Sequence, residues 1–501
     1  MKKDRSGRKM LALAVTVSLL AVANVSPQAS AAEPNLKVFS SNKNITIKRE
    51  RKGPVFLDLG IFVAAQGAPF EIRLHRPDYD HPPNVVQVVP GMAGPELRAL
   101  PGDIADGWLG LEDFLHVDIR RATGKTVADR RWTFCPNGFE PQRLSDEGPI
   151  VRTYPAYCST NPFTKSTVWG IDEGWAMPVL GYDTRPIRLK DGRYNITASI
   201  DPRYVELFGI APGDAVTTVA VEIKTVKRCR HCGHGKALAF AGGQTLGADS
   251  TQRAPRSAVP TMSDPDPSVL PDVIALPSWG ISTDRRRRGD FLTFGATVWA
   301  GGASPLVVEG FRRAGEDVMD GWQYFYRDGQ PIGRTPAGPL EYDPRRGHHH
   351  WHFKQFASYR LLNADMTEVV ASTKEAFCLA PTDAIHLDLP GAAWNPEIGL
   401  STACGSRSSI WVREILPLGW GDTYSQSLPG QSFDITDLPN GTYYIEVRAN
   451  PEGLLKEQDS SNNSELREVI LRGRRGHRRV VVPPWHGIDT EGPTRGPFPG
   501  G

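Results

Sequence analysis

The sequence predicts a mainly β protein: two β-sandwich-like domains with long irregular loops, the first a diverged copy of the second. Three observations carry this. Short alternating runs such as Phe56-Leu57-Asp58-Leu59, Phe70-Glu71-Ile72-Arg73-Leu74, Val216–Val226 and Tyr443–Val447 lie between Gly, Pro, Asp and Asn turns, the period-two pattern of half-buried strands. No long stretch carries the apolar period of an amphipathic helix. Several motifs also recur in the same order in the two halves. Phe56-Leu-Asp-Leu-Gly60 with Val63-Ala-Ala-Gln-Gly-Ala-Pro69 parallels Phe291-Leu-Thr-Phe-Gly295 with Val298-Trp-Ala-Gly-Gly-Ala-Ser-Pro305. Trp132-Thr-Phe134-Cys135 parallels Glu375-Ala-Phe377-Cys378. Trp169 and Gly174-Trp175 parallel Trp411 and Gly419-Trp420, and Asp191-Gly-Arg-Tyr194 parallels Asn440-Gly-Thr-Tyr443.

The chain divides as follows. Residues 1–31 read as a signal peptide: Lys2, Lys3, Arg5, Arg8 and Lys9 precede an apolar run from Met10 to about Val25, and Ala29-Ser30-Ala31 offers a small-residue cleavage site. The apolar run is short for a membrane span, so a secreted, extracellular protein is expected. Residues 35–241 form the first domain. Residues 242–268, rich in Gly, Ser, Pro, Thr and Ala without apolar periodicity, read as a linker. Residues 269–471 form the second domain, and 472–501, with Arg472, Arg474, Arg475, Arg478 and Arg479, read as a disordered basic tail. Such a tail could hold the protein near anionic cell-wall or matrix polymers. Removing five basic residues and one acidic one with the leader takes the net charge from +2 to −2, which argues against a nucleic-acid partner.

Six cysteines in an exported chain are expected to pair. Cys135 with Cys158 and Cys378 with Cys404 occupy corresponding places in the two halves. The remaining Cys229 and Cys232 form a local third pair, or, with His231 and His234, half of a zinc site.

The chemistry concentrates at Gly347-His348-His349-His350-Trp351-His352. Residues two apart on a strand share a face, so His348, His350 and His352 can converge as imidazole ligands for copper, zinc, iron or nickel. On a flat strand the outer two would lie about 13 Å apart, so the chain must bend or bulge there. Downstream stand Phe353-Lys-Gln-Phe356-Ala-Ser-Tyr359, Lys374-Glu-Ala-Phe377-Cys378, Gly421-Asp422-Thr423-Tyr424, Asp434-Ile-Thr-Asp437 and Asn440-Gly-Thr-Tyr443. In this order and spacing, from about Leu270 to Leu471, the chain resembles the catalytic domain of the lysyl oxidases.

That resemblance implies a secreted amine oxidase using copper, bound by His348, His350 and His352, and a lysine tyrosylquinone made by crosslinking Lys374 to Tyr424. Its substrates would be primary amines or peptidyl lysine and molecular oxygen, and its products aldehyde, ammonia and hydrogen peroxide. Glu457-Gln-Asp459-Ser-Ser-Asn462-Asn463 is similar to the family's structural calcium site, with Asp272 and the Val273 carbonyl completing the shell. The proton-abstracting base stays open among Asp422, Asp434 and Asp437. Ser358 stands where the family often has histidine, and the vertebrate members carry more cysteines, so their disulfide pattern does not transfer whole. Aligned on Phe114 and Phe356, the first domain has Asp106, Trp108 and Gly110 at the histidine positions, Arg131 at the place of Lys374 and Val179 nearest that of Tyr424. It is therefore expected to be non-catalytic. Two other readings remain: a secreted metal-binding or adhesion module without the quinone, and a histidine-ligated iron or zinc enzyme of different chemistry.

Overall fold

The computed structural model describes residues 33–138, 140–179, 186–226, 258–287, 289–344, 349–354, 356–372, 376–396, 404–488 and 490–491. The leader, the Cys229–Cys232 segment, His348 and Lys374 lie outside them. The described chain is mainly β, as expected, with one short α-helix, Pro202–Leu207. That helix begins with Asp201 accepting a hydrogen bond from the Arg203 amide and Pro202 in its first turn.

Each half builds three main sheets, and their strand orders correspond. In the first half, Asn35–Ser40, Ile61–Gln66, Trp175–Pro178 and Gln142–Arg143 lie side by side; in the second, Pro271–Ala275, Gly289–Gly302, Trp420–Tyr424 and Asp383–Ala384 do the same. The order Ser166–Ile171, Phe70–His75, Asn84–Val89, Glu96–Leu100 is matched by Trp411–Leu416, Leu306–Arg312, Val318–Arg327, Gln330–Asp343, which continues through His350–Lys354 to Ala376–Phe377. Val216–Thr225, Gly192–Ile200, Leu111–Arg121 and Thr126–Phe134 correspond to Ser464–Arg474, Gly441–Ala449, Ala357–Asn363 and Glu368–Ala371. Cys135–Cys158 and Cys378–Cys404 are both disulfide-bonded, each closing a similar loop.

Three sequence expectations are corrected. Phe56–Leu59 alternates in burial but joins no ladder; the strand starts after it, at Ile61. Alternation records which side chains face the core, and an extended loop on a core surface has it too. Of the expected linker, residues 258–268 are structured: the Met262 amide donates to the Arg334 carbonyl and the Arg334 amide to the Pro260 carbonyl, along the edge of Gln330–Asp343, and Met262 packs with Val269, Leu270 and Phe325. The first ten residues of the expected disordered tail, 472–481, are the end of a hairpin. Ser464–Arg474 turns at Gly476 (φ +76°) into His477–Val481, and Trp485 then packs on Tyr79 and Phe163 of the first half. Its arginines sit on an exposed edge, where a strand needs no apolar alternation.

The halves interlock. The segment that follows Cys158 in the first half enters the second: the Lys165 and Ser166 amides donate to the Ile385 carbonyl at 2.6 and 3.0 Å, and Ser159 and Thr164 hydroxyls donate to the Ala384 carbonyl. The Tyr157 hydroxyl donates to the Thr382 carbonyl. Phe163 packs among Leu276, Trp279, Trp299 and Ile385, while Tyr154 and Val168 join the main core of the second half.

Asp383 lies at this junction, fully buried, and neither of its oxygens has a well-formed hydrogen bond among the described residues. Burial pushes its pKa up to about 7, with the neighbouring Thr423 hydroxyl and Thr160 amide pulling weakly the other way. The folded chain therefore keeps a proton that the unfolded chain releases above the ordinary aspartate value of 3.8. Stability from this group is complete at acid pH and is lost as pH rises through about 7. Asp383→Asn should raise the melting temperature by an increment that grows across that window; parallel melting curves for the two proteins would contradict the assignment.

Candidate active site

The histidine strand is short because its start is broken. His349 has φ +49°, a left-handed conformation uncommon outside glycine, and regular pairing begins only at His350. This supplies the bend that three converging histidines require. From His350 the strand pairs with Gln330–Asp343, placing Asp343 opposite His350 and Glu341 opposite His352. The His350 and His352 rings stand perpendicular with centroids 4.6 Å apart, and their Nε2 atoms are 2.9 Å from each other. His352 is buried, and its other nitrogen, Nδ1, lies 3.5 Å from the buried Asp343 carboxylate. A carboxylate behind one nitrogen aims the opposite nitrogen forward.

Tyr424 reaches the same region from another sheet. Phe377 pairs directly with Phe353, the residue after His352. The Tyr424 ring packs edge-on against Phe377 at 5.0 Å, and its hydroxyl accepts from the Cys378 amide at 3.0 Å and donates to the Cys378 carbonyl at 3.2 Å. Cys378 is bonded to Cys404, whose carbonyl accepts the Trp351 amide at 2.9 Å, between the two histidines. One disulfide thus joins the backbone that holds the phenol to the backbone that holds the imidazoles. Burial, with Asp422 and Tyr359 close by, pushes the Tyr424 phenol well above the usual tyrosine range.

The three candidate bases separate. Asp434 caps a turn through the Thr436 amide and hydroxyl, and exposed Asp437 pairs with Arg475. Asp422 alone is buried beside Tyr424, and its charge helps raise both Tyr424 and Tyr359. Sequence reasoning missed Glu414. It is fully buried and accepts the Leu379 amide at 2.9 Å; burial, with Asp422 adding to it, pushes its carboxyl well above the usual carboxylate range. Nothing in Val412-Arg413-Glu414-Ile415 announces a buried acid, since its neighbours Val412 and Arg413 are buried as well.

The acidic loop meets the start of the second half. The Asp459 amide and Asn462 Nδ2 donate to the two Asp272 oxygens at 3.1 and 2.8 Å. Glu457 accepts from Asn463 Nδ2, Asn450 Nδ2 and the Val273 amide. Burial raises both Asp272 and Glu457. The Asn462 and Asn463 Oδ1 atoms are buried without a hydrogen-bond partner among the described residues. Two carboxylates and two spare amide oxygens are a hard-cation donor set. Among the described residues, no three His, Cys, Asp or Glu side chains gather as a metal site. His348, the third expected copper ligand, lies outside those residues, and the cation set draws on Asn oxygens as well as carboxylates.

In the first half the corresponding positions serve packing. Trp108 is core, Asp106 accepts the Thr133 hydroxyl at 3.0 Å, and Gly110 lies so close to the Phe134 carbonyl that a Cβ would collide with it. Arg131 pairs with Asp201.

Fold and site together define a mainly β protein whose histidine-bearing strand and partly buried tyrosine are clamped by one disulfide. Residues 335–479 match the family model described as "Lysyl oxidase", so it is through this segment that the chain is similar to the lysyl oxidases. It is similar to "Lysyl oxidase homolog 2" of Gallus gallus, 28% identical over 158 residues, covering 31% of this chain and 18% of that protein. "Lysyl oxidase homolog 2" of Homo sapiens is 29% identical over 136 residues, 25% of this chain and 16% of that protein. "Lysyl oxidase homolog 4" of Mus musculus is 29% identical over 161 residues, 29% and 19% of the two chains. The chain thus spans less than a fifth of the length of these relatives.

Proposed function

We propose that this protein is a secreted, copper-dependent amine oxidase. It would deaminate primary amines, including lysine side chains of peptides or proteins, to aldehydes with release of ammonia and hydrogen peroxide. Similarity to the lysyl oxidases supports the reaction class. The observation that carries the assignment to particular residues is the convergence of His350 Nε2 and His352 Nε2 at 2.9 Å on a strand tied, through Phe377 and the Cys378–Cys404 bridge, to Tyr424. Two nitrogens each about 2 Å from one ion and roughly at right angles have this spacing. Without an ion, the same distance suits one ring donating an N–H to the other.

His348, His350 and His352 would hold copper, with Asp343 orienting His352. Lys374 and Tyr424 would form the lysine tyrosylquinone. When present, these groups supply oxidation of the amine and return of its electrons to oxygen. The chain's own part is positional. Cys378 fixes the phenol oxygen, while Phe377 and Tyr359 keep water from the ring. Lys374 must act as the neutral amine, which burial beside a cation favours over its free pKa near about 10.4. Asp422, buried at the tyrosine, is placed to accept a proton. Asp272, the Val273 carbonyl, Glu457, Asp459, Asn462 and Asn463 would hold calcium, clipping the domain's first strand to its penultimate loop.

The basic hairpin suits an anionic cell-wall or matrix polymer. Arg472 stands directly opposite Arg479, a like-charge pair that costs stability when unneutralised. Its tip also meets a second run of arginines, because the Gly476 amide donates to Asp290 on the hairpin carrying Arg285 and Arg286.

With copper-loaded protein and a primary amine, peroxide release should be abolished by Tyr424→Phe and by Lys374→Ala while copper content is retained. Full activity in either variant would remove the quinone assignment, and copper binding with no oxidation in the wild type would favour a metal-binding module. Saturating calcium, at about 100 times its dissociation constant, should stabilise the chain by about 2.7 kcal/mol, seen as a melting shift absent from Asp272→Asn/Glu457→Gln; equal shifts in both proteins would locate the ion elsewhere. Retention on a sulfated-polysaccharide column should fall on Arg472→Glu/Arg479→Glu, and unchanged retention would dismiss the hairpin as its binding surface.

A further inference from the structure

The strand Trp420–Tyr424 is a partition. Its side chains alternate in direction, so Asp422 and Tyr424 face the candidate site while Gly421 and Thr423 face the opposite way, toward the first half. On that far side a buried chain of hydrogen bonds begins in the first half and ends on the partition. Asn161, fully buried in the segment that follows Cys158, has its orientation fixed because its Oδ1 accepts the Phe163 amide at 2.9 Å. Its Nδ2 then donates to Thr297 Oγ1 at 2.8 Å. Thr297 is the direct cross-strand partner of Thr423, and their hydroxyls are 2.8 Å apart. The Thr423 amide donates to Thr382 Oγ1 at 2.6 Å, and the Thr382 carbonyl accepts the Tyr157 hydroxyl from the first half. No slack exists on this face: a Cβ on Gly421 would fall 2.7 Å from Thr297 Cγ2 and 3.0 Å from Ile385 Cγ1.

We propose that Asn161 is a positioning residue for the reacting tyrosine, acting through Thr297 and Thr423 on the back of the strand that carries Tyr424. The first half, which has no histidine or tyrosine at the corresponding places, is on this account the rear wall of the second half's site. The proposal rests on the reading of Tyr424 as the quinone precursor, but its mechanical part stands apart from that reading. The physical reason is the cost of an unmatched buried amide: Asn161, Thr297 and Thr423 are jointly satisfied only when the strand sits at one height against the loop, and displacement strands polar groups away from water.

The test uses the full mature chain with copper and two readouts: hydrogen exchange of the 421–424 amides, and the chromophore formed with phenylhydrazine. Asn161→Ala and Thr297→Val should each speed exchange at 421–424 about tenfold, as expected for loss of one buried hydrogen bond, and should lower chromophore yield. Thr297→Ser, which keeps the hydroxyl, should restore both. His75→Ala serves as control, since it breaks a remote contact between the halves, 2.6 Å from His75 Nδ1 to Asp388. It should leave exchange at 421–424 and chromophore yield as in the wild type. Unchanged exchange in folded Asn161→Ala and Thr297→Val, or an equal change in His75→Ala, would overturn the positioning role. A wild type that forms no chromophore would sink the quinone reading instead, and exchange alone would then decide the inference.

Discussion

The Cys378–Cys404 bridge is the constraint on which the candidate site depends. Neither sulfur takes part in the chemistry, yet each cysteine holds one side of the site by its backbone. Cys378 offers both its amide and its carbonyl to the Tyr424 hydroxyl, and Cys404 offers its carbonyl to the amide of Trp351. Trp351 is fully buried, its indole nitrogen donating to Ser406 and its ring lying under Arg312, so the flanking histidines cannot rotate as a unit. A covalent link between two hydrogen-bonded backbones is stiffer than either hydrogen bond alone. That suits a site whose groups must meet within a fraction of an ångström before any crosslink can form.

The first half extends the same logic. Its sheets follow the strand order of the second half, and its disulfide lies at the corresponding place, which supports reading it as a diverged copy. Its own counterpart of the site is filled by Trp108 and by Gly110 against the Phe134 carbonyl. What it offers the second half is the segment from Tyr157 to Ser166, around and beyond Cys158, which meets the strands that frame Tyr424 from behind. The first half is also part of the second half's core, since Tyr154, Phe163 and Val168 lie within clusters of the second half.

How much of this was legible in the sequence follows from the range of each signal. Strands with one wet face announced themselves: Phe70–His75 and Val216–Thr225 have the alternation and end within one residue of the expected bounds. Phe56–Leu59 shows the limit of that signal, since burial alternates there without a ladder. The histidine spacing pointed to a candidate site and to a bend in the chain, and His349 has the left-handed backbone that a bend needs. The arginine-rich hairpin was misread because charge on an exposed edge looks like solvation whether or not the backbone is paired. Glu414 and the Asn161–Thr297–Thr423 chain left no signal at all. They are ordinary residues whose meaning comes from partners more than a hundred positions away or from burial on both faces of a strand, neither of which local pattern records.

The central claim is that Lys374 and Tyr424 meet. Its most direct measurement is peptide mapping by mass spectrometry of the copper-loaded mature protein, digested after reduction and alkylation of its disulfides. The account predicts a single crosslinked species containing the Lys374 and Tyr424 peptides, missing from a Tyr424→Phe protein prepared in the same way. Recovery of both peptides separate and unmodified from fully copper-loaded wild type would contradict it.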